Sequence, residues 1–398
     1  MPPIARRTPH ARSASSTAAP RRVQPGLITG VALAGLLALT PLLAGPARAD
    51  VSLRDAAAEL RIEPVLADLE EPWAVAFLPD GGLLVSERGG TLIHAGPDGT
   101  RRELAGVPEV QASGQGGLLD VVVARDFASS RTIFLTYAKP LRGGAATALA
   151  SARLSADGTT LEDLRDLYVA PDVRGGGRHF GSRVVEAHDG TLFLTIGDRG
   201  RDADAQNLAS ASGSVVRVNR DGTIPADNPR PAGGLPELWS WGHRNAQGAA
   251  LDADGNLWIS EHGARGGDEV NLVRKGLNYG WPVIAYGRHY SGLKIGEGTH
   301  KEGMEQPAFY WDPSMAPSGT MVYSGRLWPE WRGHVFVGAL QHDYIARLAP
   351  DGPEKLRAAG GIEGPETARV RDVREGPDGA IWFLSVGNGT LYRVTPAP

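Results

Sequence analysis

An Asp-Gly pair, a short apolar strand, then polar residues and glycine: this phrase recurs along the chain, and it restricts the possible folds more than any other feature. It stands clear at 78–90 (LPDGGLLVSERGG), 186–200 (EAHDGTLFLTIGDRG), 251–264 (LDADGNLWISEHGA) and 376–389 (GPDGAIWFLSVGNG). Weaker copies lie at 129–138 (SSRTIFLTYA) and 332–340 (RGHVFVGAL). Six units at spacings of roughly 45 to 80 residues, with hairpin signals and little helical periodicity, predict small antiparallel sheets repeated around an axis. The expected fold is therefore all-β, a six-bladed β-propeller spanning residues 50–398. A pair of β-sandwiches is the alternative, but it gives no reason for one strand signature to recur at blade-length intervals.

The first 49 residues read separately. Arginines at 6, 7, 12, 21 and 22 precede an apolar run over 27–44, and Ala47-Arg48-Ala49 offers small residues at the spacing a signal peptidase accepts. The reading is a secretory signal cleaved before Asp50, which places the mature chain in the periplasm or outside the cell; an uncleaved membrane anchor is the alternative. With no Cys among 398 residues, no disulfide can brace an exported chain, so its core must hold it, with a metal as the one other brace open to it. A formal net charge of -4 gives no reason to expect a nucleic-acid or membrane-surface partner.

A propeller gathers corresponding loops around one axial opening, and the polar clusters here occupy corresponding places. Gln115 lies in SGQGGLLD, His179 in GGGRHFGSR, Arg244 and Asn245 in WSWGHRNAQG, and Arg369 and Arg371 in ARVRD, each ahead of the next repeat. Three arginines converging on one opening repel one another unless an anion neutralises them, and their forked donors suit carboxylates or phosphates. GGGRHFG does not open a helix after a strand, so it is no phosphate loop. In SEHGARGGDEVN (260–271), glycine-rich backbone with Asp268 and Glu269 presents oxygens suited to a hard cation such as calcium, without the spacing of an EF-hand. His262 lacks the cysteines or the H-E-x-x-H pattern that would favour zinc.

WSWGHRNAQG, SEHGARGGDEVNLVRKGLNYGWP, GQGGLLD, RHFGSR and VRDVREGPDG, taken together, resemble the soluble pyrroloquinoline-quinone (PQQ)-dependent aldose sugar dehydrogenases of the glucose/sorbosone dehydrogenase family, from about Glu71 onward. The resemblance implies a planar tricarboxylate quinone at the top of the propeller with calcium beside it. It implies that Arg244 polarises the reactive quinone carbonyl with Asn245 alongside, that Arg369 and Arg371 hold carboxylates, and that Gln115 is a further quinone contact. The Gly263 and Ala264 carbonyls match ligands of the active-site calcium, and Glu269 with the Tyr279 carbonyl match a second, structural calcium. His179 matches the general base that takes the anomeric hydroxyl proton of a sugar. Trp239 and Trp241 are then expected to pack between blades, with His243 a satisfied internal histidine, and Trp311, in the segment matched to the cover over the quinone, to stack on a sugar face.

Two positions depart from the family pattern. Arg178 stands where glucose-specific enzymes carry an acidic partner to the base, and a neighbouring cation disfavours the imidazolium. Gln341 stands where a lysine usually faces the quinone. A non-catalytic propeller that binds protein or glycan and a calcium-dependent lactonase remain as alternative functions. The sequence names neither the preferred sugar nor the electron acceptor.

Overall fold

The computed structural model describes residues 60–398. The signal sequence read over 1–49 lies outside them. Six four-stranded antiparallel sheets make six blades, which rules out the sandwich alternative. The chain opens with β1 (Leu60–Leu66) and then builds its first blade from β2 (Pro72–Phe77), β3 (Leu83–Glu87), β4 (Leu92–Ala95) and β5 (Arg101–Glu103). The second comprises β6 (Leu118–Val123), β7 (Thr132–Leu141), β8 (Gly144–Leu154) and β9 (Leu161–Val169). The third comprises β10 (Val184–Glu186), β11 (Leu192–Ile196), β12 (Ser214–Val218) and β13 (Leu238–Trp241). The fourth has β14 (Ala246–Leu251), β15 (Leu257–Glu261), β16 (Asp268–Val273) and β17 (Phe309–Trp311). The fifth has β18 (Pro317–Val322), β19 (Val335–Ala339), β20 (Tyr344–Pro350) and β21 (Leu356–Glu363). The last takes β22 (Val370–Glu375), β23 (Ile381–Ser385) and β24 (Thr390–Pro396), and β1 returns to complete it as the outer strand, with Leu60 opposite Pro396.

Each repeat of the sequence supplies the second strand of one blade: β3, β7, β11, β15, β19 and β23. In four blades an Asp-Gly turn links this strand to the inner strand before it. Asp189 shows why: its carboxylate accepts the Thr191 N–H at 2.9 Å, and Gly190 takes φ +82°, a region that a side chain disfavours. These second strands are apolar without alternation because both of their faces are covered by neighbouring blades; β3, β11, β15 and β19 are buried at every position. The outer β5, by contrast, is exposed throughout. The core is accordingly six apolar slabs, one between each pair of adjacent blades, rather than one central cluster.

The axis is closed by charge. Arg183 from β10's approach bonds Asp120 of β6 at 3.2 Å and Asp372 of β22 at 3.0 Å, while Arg374 bonds the same two carboxylates at 2.8 and 3.0 Å. Two guanidinium groups and two carboxylates balance, as burial of charge requires. Arg183 also donates to the Gln247 and Arg371 carbonyls and stacks over Trp73, 4.2 Å from the ring centre. This floor separates the end of the axis where the inner strands begin from a cavity of about 410 Å³ lined by their far ends, including Val75, Val121, Val184 and Thr320.

Candidate active site

The starts of the inner strands and the ends of the second strands meet on one face, and most of the expected residues gather there. His179 sits in the loop before β10 with φ +54°, a costly conformation for a non-glycine residue, and one that recurs at functional sites. The loop approaches Gly197 so closely that a β-carbon there would lie 2.2 Å from the His179 carbonyl oxygen. Arg199 braces the loop from beneath, donating to the Arg178 and Gly176 carbonyls at 2.5 and 3.3 Å and stacking on Phe180 at 3.4 Å. Gln115 fixes it from the side by accepting the His179 N–H at 2.6 Å.

The imidazole is held by an acid. His179 Nδ1 lies 2.6 Å from Asp198 Oδ1, and the Trp281 indole N–H donates to the other carboxylate oxygen at 2.9 Å. Burial alone would raise the Asp198 pKa; hydrogen bonding and charge from His179, the Gly200 N–H and Arg244 outweigh it and hold the carboxyl below its ordinary value. A carboxylate on Nδ1 places the proton of the neutral ring there and leaves a lone pair on Nε2. Thus the acidic partner missing at position 178 comes from Asp198, two residues past the end of β11, while Arg178 is exposed.

Arg244 and Asn245 stand opposite. The Arg244 N–H donates to Glu261 Oε2 at 2.6 Å, its guanidinium bonds the His262 and Gly263 carbonyls, and it lies 5.2 Å from the Trp281 ring centre. Asn245 Oδ1 accepts the Gly181 N–H at 3.1 Å, which ties this strand to the His179 loop. Arg244 Nε and Asn245 Nδ2 are buried donors with no protein partner. Arg371 donates to Gln247 Oε1 at 2.7 Å; burial first, then the charges of Arg183, Arg369 and Arg88, pull its pKa down to about 9. Arg369 bonds the Leu340 carbonyl at 3.2 Å. Gln341 is exposed beside it, its N–H bonded to the Met315 carbonyl.

His243, Trp239 and Trp241 hold the frame. His243 is fully buried between Ser240 Oγ and Glu261 Oε1, each at 2.9 Å, and stacks on Tyr279. Trp239 packs edge-on against Phe193 in the slab between the third and fourth blades, and the Trp241 carbonyl accepts the Tyr279 N–H. Trp311 lies on the outer β17, half-buried against Phe309, with its carbonyl accepting the Gly267 N–H.

The residues expected for two calcium ions, Gly263 and Ala264 for one and Glu269 and Tyr279 for the other, line a single small cavity of about 20 Å³ together with Arg244 and Trp281. Asn271 donates to both Glu261 and Glu269, leaving its buried Oδ1 without a partner. Burial and the nearby Glu261 push the Glu269 pKa up to about 8. An unpartnered carboxamide oxygen beside a buried carboxylate is a donor set that suits a hard cation. The Gly263 carbonyl fits less directly, because the Arg244 guanidinium already occupies it. Among the described residues, no three His, Asp or Glu side chains cluster as metal ligands.

The sequence profile described as glucose/sorbosone dehydrogenase matches residues 69–393. The chain belongs to that family. It is 43% identical over 351 residues to the aldose sugar dehydrogenase YliI of Escherichia coli, covering 86% of this chain and 94% of that one. The crystal structure of the soluble E. coli aldose sugar dehydrogenase in its apo form superposes with a TM-score of 0.81 at 41% identity, over 85% of this chain and 99% of the other. A PQQ-bound aldose sugar dehydrogenase from Streptomyces coelicolor superposes with a TM-score of 0.69 at 26% identity, over 85% and 99%. As a glucose/sorbosone dehydrogenase family member, the chain has a site whose supporting residues were less evident from sequence than the site itself. The roles of Asp198, Trp281 and Arg199 escaped motif reading: Asp198 stands two residues past the end of β11, beyond the position that Glu87 and Glu261 hold in their strands, and nothing in the sequence marks it.

Proposed function

We propose that this chain is a PQQ-dependent dehydrogenase that oxidises the anomeric carbon of aldose sugars to lactones. The observation that carries the reading is the His179–Asp198 pair joined through its backbone to the segment that bears the buried, unpartnered donors of Arg244 and Asn245, with Arg369 and Arg371 close by. Donors in excess of acceptors suit a ligand rich in carboxylate and carbonyl oxygen. When bound, the quinone supplies the two-electron acceptor for the anomeric hydride.

The protein's own part is proton and charge management. Nε2 of His179 takes the anomeric hydroxyl proton, and the ionised Asp198 stabilises the resulting imidazolium. Trp281 and the Gly200 N–H keep that carboxylate oriented. Gln115 and Arg199 keep the ring aimed. Arg244 Nε and Asn245 Nδ2 offer preorganised donors to oxygen that gains negative charge. Arg369 and Arg371 hold carboxylates, and Glu269, Asn271 and the Tyr279 carbonyl are suited to a calcium ion that braces the site. Trp311 is the candidate for sugar stacking. Export through a cleaved signal sequence would place this chemistry outside the cytoplasm.

A calcium-dependent lactonase would need Glu, Asn and Asp side chains converging at the mouth, where this chain puts guanidinium and amide groups. The test is reconstitution of the apoprotein with PQQ and calcium, followed by dye reduction with glucose and other aldoses. His179→Ala should lose at least a hundredfold in turnover while binding quinone almost normally. Near-normal turnover in that variant at saturating quinone would remove His179 from the base's role.

A further inference from the structure

His262 follows β15 at the centre of this face, its backbone clamped by the site: its N–H donates to the Asn245 carbonyl at 3.1 Å, and its own carbonyl accepts from Arg244 at 3.2 Å. Its ring is the unexplained part. Its Nε2 is buried with no hydrogen-bond partner. Beside the Arg244 guanidinium, which already donates to the His262 carbonyl, the neutral ring carries its proton on Nδ1 and presents a lone pair at Nε2. Around it stand Arg244, Arg371 and His179. The other unpartnered groups of the mouth, Arg244 Nε and Asn245 Nδ2, are donors. Nε2 is an acceptor among donors, and none of them reaches it.

We propose that His262 is a ligand-contacting specificity residue whose Nε2 accepts a hydrogen bond from a neutral donor on the bound small molecule. This rests on the sugar dehydrogenase reading. Two sources carry such a donor, a hydroxyl of the sugar and the ring N–H of the quinone, and both present it without the positive charge that Arg244 and Arg371 would repel. A metal ion at Nε2 is disfavoured by the same two guanidinium groups.

His262→Phe keeps the shape of the ring and removes the acceptor; His262→Leu serves if the phenylalanine variant does not fold, with the melting temperature of the apoprotein as the control. His262→Gln restores an oxygen acceptor at similar reach. Two readouts separate the sources: PQQ affinity of the apoprotein, followed by quenching of tryptophan fluorescence without any turnover, and the KM for glucose. A ligand donor buried against a phenyl ring should weaken one of these by about tenfold or more, and glutamine should recover most of it. Loss in the quinone titration assigns the donor to the cofactor; loss in KM alone assigns it to the sugar. Both constants within twofold of wild type in the phenylalanine variant overturn the inference, as does a loss that glutamine does not restore or that excess calcium repairs. Failure of the wild-type protein to bind PQQ would instead bring down the functional reading itself.

Discussion

Replacing Arg183 with methionine tests whether the charged floor holds the ring and the site above it. The side chain is 1% exposed and its partners Asp120 and Asp372 are as deeply buried. The substitution leaves two carboxylates sharing Arg374 alone and strips a donor from the Gln247 and Arg371 carbonyls. Breaking a buried pair from one side costs roughly 3–5 kcal/mol, because a charge is left without compensation. An unfolding entropy near 2.1 cal/mol/K per residue gives roughly 0.7 kcal/mol/K for a ring of this size, so the melting temperature should fall by about 4–7 °C. Urea unfolding should show the same loss as a lower midpoint at unchanged slope. Adding Asp120→Asn restores charge balance, since Arg374 then faces one carboxylate, and should return part of the stability; a double-mutant cycle measures that coupling. A loss under about 1 kcal/mol, or a double variant no better than the sum of the singles, would refute the account of the floor as a balanced charge network.

Three further outcomes follow from the site. The depressed pKa of Asp198 means its ionised form stabilises the fold above about pH 4, the unfolded value, and that this contribution disappears as pH falls through the lower folded value; Asp198→Asn should therefore flatten the acid limb of a melting-temperature profile. Chelation should lower the melting temperature of the wild-type protein, since a cation bound only to the folded state stabilises it by mass action, and Glu269→Gln should remove most of the increment that calcium gives back. Gln341→Lys should tighten PQQ binding several-fold by converting a neutral contact into a charge-assisted one, provided that the ammonium clears Arg369; unchanged affinity in a fluorescence titration would mean that position 341 does not face the cofactor.

The ring was legible because the repeat signature is physically forced. A strand covered on both faces must be apolar throughout, and the Asp-Gly turn before it is a local chemistry that survives in any context. Outer strands carry no such signature: β5 reads Arg-Arg-Glu, and nothing in it marks a strand. The long connection from β16 to β17 likewise stretches one repeat interval and hides where the fourth blade ends. In the site, the candidate ligand-contacting residues stood out because arginines and a histidine at corresponding positions need an anion or a proton to explain them. Their supports did not, since Asp198 serves His179 only once two loops 19 residues apart fold onto each other. Arg178 invited the opposite conclusion because adjacency in sequence was read as adjacency in charge, whereas the loop turns that side chain outward.

The pairing of β1 with β24 joins residues 60–66 to 391–396, the most distant strand partners among the described residues. No chain emerging from synthesis can fasten that clasp until its last strand is available, and with no cysteine no disulfide reinforces it. Contacts of such long range make ring closure a late and slow event. Until it happens, β24 presents a bare hydrogen-bonding edge, with Leu391 and Val394 on a strand that any matching segment can extend. The matching segment nearest in kind is β1 of another copy. At high concentration the same clasp that seals one ring can therefore fasten two rings to each other, by exchange of a single seven-residue strand.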